Sequence, residues 1–102
     1  MGRYVKAAAV DEVKPGESKL VELEGKSIAL FNVDGTFYAL DDACPHSGGP
    51  LSEGRLQGSR VTCPWHGSIF DVTDGKVLDE PATENAASYP VRVVGADVEI
   101  EI

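Results

Sequence analysis

Four side chains able to bind a soft or borderline metal crowd into one window of this sequence. Cys44-Pro45-His46 sets a thiol and an imidazole two residues apart, and Cys63-Pro64-Trp65-His66 sets a second such pair three apart. The chain has two Cys and two His in all, so this window holds its whole supply of both. Two thiolates and two imidazoles complete a four-ligand set. The Pro after each Cys stiffens its loop and removes a backbone donor. Three readings compete. Unliganded core packing is the blandest, but Gly- and Pro-rich loops are poor places to bury a thiol for packing alone. Structural zinc bound by two Cys and two His is the second. The third is a 2Fe–2S center with both Cys on one iron and both His on the other. The alternation favors the third, because each loop then gives one ligand to each iron. A zinc finger more often pairs Cys with Cys and His with His along the chain.

The elements that must hold these loops read as strands. Helical periodicity is absent over any long window, and strand signals recur instead. Residues 5–10 and 19–23 are two candidates. Residues 27–33 (SIALFNV) are apolar on both faces, as a central strand requires. Asp34-Gly35 then suits a tight hairpin turn, and 36–40 return as the partner. Near the other end, 91–94 meet Gly95-Ala96-Asp97, after which Val98, Ile100 and Ile102 alternate with acids, as in a half-buried strand. Between these segments, 42–58 are dense in Gly and Pro and poor in strand formers. Residues 59–62 lead into Cys63, and 69–72, Asp74-Gly75 and 76–78 form another small hairpin. The expected architecture is all-β. One domain spans 1–102, with an antiparallel base from about 1–41 and 81–102 and an inserted, loop-rich metal lobe over about 42–80.

Composition narrows the function. The 102 residues carry 17 Asp and Glu against 9 Lys and Arg, a net charge of −8. That argues against nucleic acid and anionic membrane surfaces, and suits partners with basic docking faces. A hydrophobic fraction of 42% argues against disorder. A domain this small buries a thin core, so a bound metal center would add to its stability. Residues 1–10 lack the apolar core of a signal peptide, and no run approaches the roughly 20 apolar residues that span a bilayer. The expected compartment is the cytoplasm, where two Cys seldom mean a disulfide. No Ser–His–Asp or Cys–His nucleophile is left over. The acid pairs Asp41-Asp42 and Asp79-Glu80 read as solvated surface groups. Substrate chemistry of the chain's own is therefore not expected.

The runs CPHSGGPLSEG (44–54) and VTCPWHGSIFDVTDGKV (61–77) resemble the cluster-binding loops of Rieske ferredoxins. Pro81 and the terminal hairpin are in register too, so the resemblance covers the whole chain. It implies the Rieske fold and one 2Fe–2S cluster per chain, with Cys44 and Cys63 on one iron and His46 and His66 on the other. It also implies a proline loop near Pro81 over the cluster, and Ser68 as a hydroxyl donor to it. Respiratory-type members carry two extra Cys in a disulfide where this chain has Gly49 and Trp65, and a Tyr where it has Phe70. Without them the potential should lie near the low end of the Rieske range, roughly −150 mV.

The role implied is that of the ferredoxin component of a multicomponent aromatic-ring dioxygenase system. As a monomer it would carry electrons from an NAD(P)H-dependent flavin reductase to a terminal Rieske oxygenase. An oxygenase itself needs a mononuclear iron held by two further His and a carboxylate, and its loop usually reads CPYHGW where this one reads CPWHGS. The alternatives are a small redox subunit of a nitrite-reductase-like complex and, from a different class, a zinc-stabilized interaction module. Docking is expected at an apolar tip of Pro45, Gly48, Gly49, Pro50, Pro64 and Trp65, ringed by Asp41, Asp42 and Glu53. Trp65 either joins that tip or folds back over the lobe.

Overall fold

The computed structural model describes residues 2–45, 47–65, 67–79 and 84–102. Its strands are β1 (Tyr4–Ala9), β2 (Ser18–Leu23), β3 (Lys26–Val33), β4 (Thr36–Asp41), β5 (Arg55–Gln57), β6 (Arg60–Thr62), β7 (Ile69–Asp71), β8 (Val77–Asp79), β9 (Ser88–Tyr89), β10 (Val91–Val94) and β11 (Asp97–Glu101). Among the described residues they form three sheets, in the orders β1-β11-β10, β2-β3-β4-β9 and β5-β6-β7-β8. The pairings are antiparallel. The all-β expectation holds. No described helix is long and apolar enough to cross a membrane.

Strand β3 explains how the sheets stack. Side chains alternate across a strand, yet Ile28 to Asn32 are all buried. Ile28 and Leu30 enter one core with Ala8, Val21, Leu23, Val98 and Ile100. Ala29 and Phe31 enter another with Leu40, Leu51, Val61, Phe70, Val72, Cys44 and Cys63. Burying each of the larger apolar side chains stabilizes the fold by about 1.5–3 kcal/mol. Asn32, a buried amide, donates to the Val13 carbonyl (2.7 Å) and accepts from the Gly35 N–H (2.7 Å). The β3–β4 turn has φ of 51° at Asp34 and 92° at Gly35. Both are positive, as a type I′ hairpin turn demands.

In the terminal hairpin Val98 and Ile100 are wholly buried. The acidic face is less wet than its alternation suggests, because β11 is the middle strand of three. Arg92 on β10 donates to Glu99 at 2.7 Å, Lys6 on β1 reaches Asp97 at 3.3 Å, and the Arg92 guanidinium lies over the Tyr4 ring.

Two strands escaped the sequence reading. β5 lies in the stretch taken as loop, and β9 has two residues. Both owe their order to pairing rather than propensity. A Cβ on Gly54 would stand 2.3 Å from the Thr62 carbonyl oxygen, so glycine lets the chain entering β5 close on β6. Gly75 (φ 80°) does the same for the segment that leads into β9. Its missing Cβ leaves room for the Ala86 carbonyl, and its own oxygen accepts the Ala86 N–H at 2.7 Å.

The pair Asp41-Asp42 requires a correction. Asp42 is buried and accepts the Ser52 N–H at 2.8 Å. Its backbone bonds to Ser27 and Leu51. Asp41 accepts the Tyr89 hydroxyl. These carboxylates pin the chain where it leaves β4, so they are not solvated surface acids. Asp79 is exposed, and Glu80 lies outside the described residues.

Burial, the hydrogen bond to Asp41 and that residue's negative charge push the Tyr89 phenol up to about 12 from an ordinary value of 10.0. The folded chain therefore keeps this proton longer than the unfolded one. The stabilizing contribution is complete below about pH 10 and is lost as pH rises toward 12. Phenolate absorbance should show a late step near pH 12 that Tyr89→Phe removes; a single step complete by about pH 11 would contradict the assignment.

Candidate metal centre

Two loops of one design lie against each other. In the first, the Cys44 N–H donates to the Gly49 carbonyl (2.9 Å) and the Gly48 N–H to the Cys44 carbonyl (2.8 Å). In the second, the Cys63 N–H donates to the Ser68 carbonyl (2.7 Å) and the Gly67 N–H to the Cys63 carbonyl (3.1 Å). The pattern is the same in both, from residue i to i+5 and back from i+4 to i. In both, the residue at i+4 is a glycine with positive φ, 77° at Gly48 and 81° at Gly67, where a side chain would be strained. Pro45 and Pro64 fill the i+1 positions and bring no N–H that would need a partner. A bridge between Ala43 and Pro50 closes the first loop at its base.

Both thiols are buried, Cys44 at 3% and Cys63 at 1% exposure, and neither is joined in a disulfide. They share the core walled by Phe31, Leu51, Val61, Phe70 and Val72. A Cβ on Gly49 would lie 2.9 Å from the Cys63 sulfur and 2.9 Å from Cγ of Trp65, so the second loop rests directly on the backbone of the first. The Ser47 Oγ stands 3.5 Å from the Cys63 Sγ and accepts the Gly49 N–H at 3.3 Å. Trp65 meets both expectations halfway: its ring lies on Gly49, yet it is 59% exposed.

Cys44, Cys63 and Ser68 are thus brought together, with Ser68 fully buried behind Cys63. His46, His66 and Pro81 lie outside the described residues. Phe70 is fully buried in the core. Of the expected tip, Pro45, Gly48, Pro64 and Trp65 are exposed, joined by Gly67. Gly49 is buried and Pro50 half-buried, because the other loop covers them. Of the expected acidic ring, Glu53 alone is exposed, since Asp41 and Asp42 are tied into the fold. Ser47 was missed. Its contact crosses from one loop to the other, and spacing along the chain carries no signal of that. The donor set fits an iron–sulfur group: two buried thiols on interlocked loops, with the Ser47 hydroxyl beside one of them.

An all-β protein with paired, glycine-latched Cys loops on a three-sheet frame is the architecture of small iron–sulfur carriers. Residues 3–90 match the model of the Rieske [2Fe-2S] domain, and the chain belongs to that family. Membership implies one 2Fe–2S cluster per chain. The chain is 43% identical over 99 residues to the biphenyl dioxygenase ferredoxin subunit of Pseudomonas sp. (strain KKS102), covering 96% of this chain and 91% of that one. It is 38% identical over 100 residues to the naphthalene 1,2-dioxygenase system ferredoxin component of Pseudomonas aeruginosa, covering 98% and 96%. A solved complex of reduced oxygenase and oxidized ferredoxin in carbazole 1,9a-dioxygenase contains a chain that superposes with a TM-score of 0.90 at 33% identity, covering 95% of this chain and 91% of that chain.

Gly49→Val should force the loops apart, because Cys63 and Trp65 occupy the space its side chain needs. Overpacking of this kind costs about 1–3 kcal/mol. The expected result is a lower denaturation midpoint together with less iron per chain; wild-type values for both would show that the loops do not depend on this contact.

Proposed function

We propose that this chain is a cytoplasmic, monomeric one-electron carrier, taking electrons from an NAD(P)H-dependent flavin reductase to a terminal Rieske oxygenase. Cys44 and Cys63 hold one iron of its cluster and His46 and His66 the other, with Ser68 as a hydroxyl donor beside them. The base of about 1–41 and 81–102 carries the lobe of about 42–80 as one domain. The observation that carries this reading is the matched pair of Cys loops, each delivering one buried thiol to the same place. The names of the relatives, ferredoxin parts of biphenyl and naphthalene dioxygenase systems, support the choice of partners, as does the oxygenase–ferredoxin complex. When bound, the cluster supplies a one-electron couple that sits above all-thiolate clusters, because neutral imidazoles replace two thiolates.

The chain's own residues set the conditions for that couple. Phe31, Leu51, Val61, Phe70 and Val72 exclude water from the inner side of the thiols. Phe70 offers no hydroxyl, and Gly49 and Trp65 offer no disulfide, which supports a potential of roughly −150 mV, at the low end of the range. The outer rim of Pro45, Gly48, Pro64, Trp65 and Gly67 carries no charge, so a partner can approach closely and leave without breaking ion pairs.

Two measurements test this. Reduced protein should give a rhombic EPR signal with average g below the free-electron value, and Cys44→Ala or His66→Ala should lose it. One zinc per chain with no such signal would sink the assignment. For docking, Pro64→Glu places a charge on an exposed rim position without the strain that a side chain at Gly48 would bring. Burying that charge against a partner is costly, so reduction by the reductase and oxidation by the oxygenase should both slow several-fold, whereas the downward shift in potential that a nearby negative charge brings would slow reduction and speed oxidation. Wild-type rates in both half-reactions would move the docking face elsewhere.

A further inference from the structure

We infer that Ser47 raises the reduction potential of this center by donating its hydroxyl to the sulfur of Cys63 across the two loops. The inference rests on the reading of Cys63 as a ligand. Ser47 Oγ lies 3.5 Å from Cys63 Sγ, an ordinary O–H···S separation given the large radius of sulfur. When Cys63 is a thiolate it has no proton to give, so the hydroxyl is the donor. A second bond fits that direction: the Gly49 N–H donates to the same Oγ at 3.3 Å, which leaves the hydroxyl proton free to point at the sulfur. An oxygen already accepting from one side is polarized and turns its own proton toward the remaining acceptor. The result is a short relay, Gly49 N–H to Ser47 O–H to Cys63 sulfur.

The relay is anchored on both sides. Ser47 lies in the loop latched by the Gly48–Cys44 and Cys44–Gly49 backbone bonds, while its acceptor sits on the other loop. Cys63 is 1% exposed and Ser47 half-buried, so bulk water competes little for the bond. A donor aimed at a ligand sulfur withdraws electron density from it. The bond strengthens when an added electron makes the sulfur more negative, so it favors the reduced state. Phe70 provides no hydroxyl at its position, and Ser47 supplies from the opposite loop a donor that partly offsets that loss.

The test compares Ser47→Thr with Ser47→Val, two side chains of nearly equal volume that differ in one hydroxyl, with Ser47→Ala beside them. Each loaded variant is measured for iron content, midpoint potential by redox titration, and position of its thiolate-to-iron charge-transfer bands. Thr should keep the wild-type potential. Val and Ala should lower the equilibrium constant for reduction by about three- to tenfold, tenfold being about 59 mV for one electron, and move the charge-transfer bands to the red. Loaded Val and Thr variants of equal potential would overturn the inference. If Ala fails to hold iron, the Val–Thr pair alone decides. Wild-type protein that binds no 2Fe–2S cluster would instead refute the ligand reading, a separate outcome from an unmoved potential.

Discussion

The two-sided burial of β3 is the constraint on which the rest of the molecule depends. Ile28 and Leu30 tie the strand to the sheet built from β1, β10 and β11, and Ala29 and Phe31 tie it to the core that holds both Cys. A chain of this length has too little apolar surface for two self-sufficient cores. Sharing one strand between them solves that problem. It also makes the Cys loops dependent on the β3–β4 hairpin: the wall behind Cys44 and Cys63 includes Phe31 and Leu40, residues of that hairpin. Loss of packing at β3 therefore reaches the thiols directly.

Polar groups do comparable work where the chain crosses between layers. Asp42 takes the Ser52 N–H, Asp41 takes the Tyr89 hydroxyl, and Asn32 bridges Val13 and Gly35. Each satisfies a donor or acceptor that the crossing would otherwise leave without a partner in a partly buried place. Two of the chain's many acids are thus architectural, and its net charge of −8 overstates what is available to steer a partner near the Cys loops.

Much of the frame was legible because it follows local rules. The SIALFNV run, the Asp34-Gly35 turn and the alternation ending in Val98 and Ile100 each carry a period or a turn signal that the structure reproduces. β5 and β9 were not legible, since Arg55–Gln57 and Ser88–Tyr89 are strands only by virtue of their partners. The roles of Asp41 and Asp42 were misread for the same reason: adjacent acids look solvated until the chain they meet is known. At the site, the Cys spacing and the placing of the two loops side by side could be read from the sequence. The touch between Gly49 and Trp65 and the reach of Ser47 to Cys63 could not, because both are contacts between loops rather than within one.

The twin latching of the loops has a consequence for speed. Each Cys is held by backbone bonds on both its N–H and its carbonyl, and each loop turns on a glycine whose φ leaves the backbone unstrained. Amide dipoles tied up in backbone bonds in this way are held in place and do not swing round as charge comes or goes. The energy of rearranging the surroundings as an electron comes or goes, the reorganization energy, is therefore small. A small reorganization energy lets electrons cross with little driving force, so a carrier with such loops can both accept and give them up quickly at nearly the same potential.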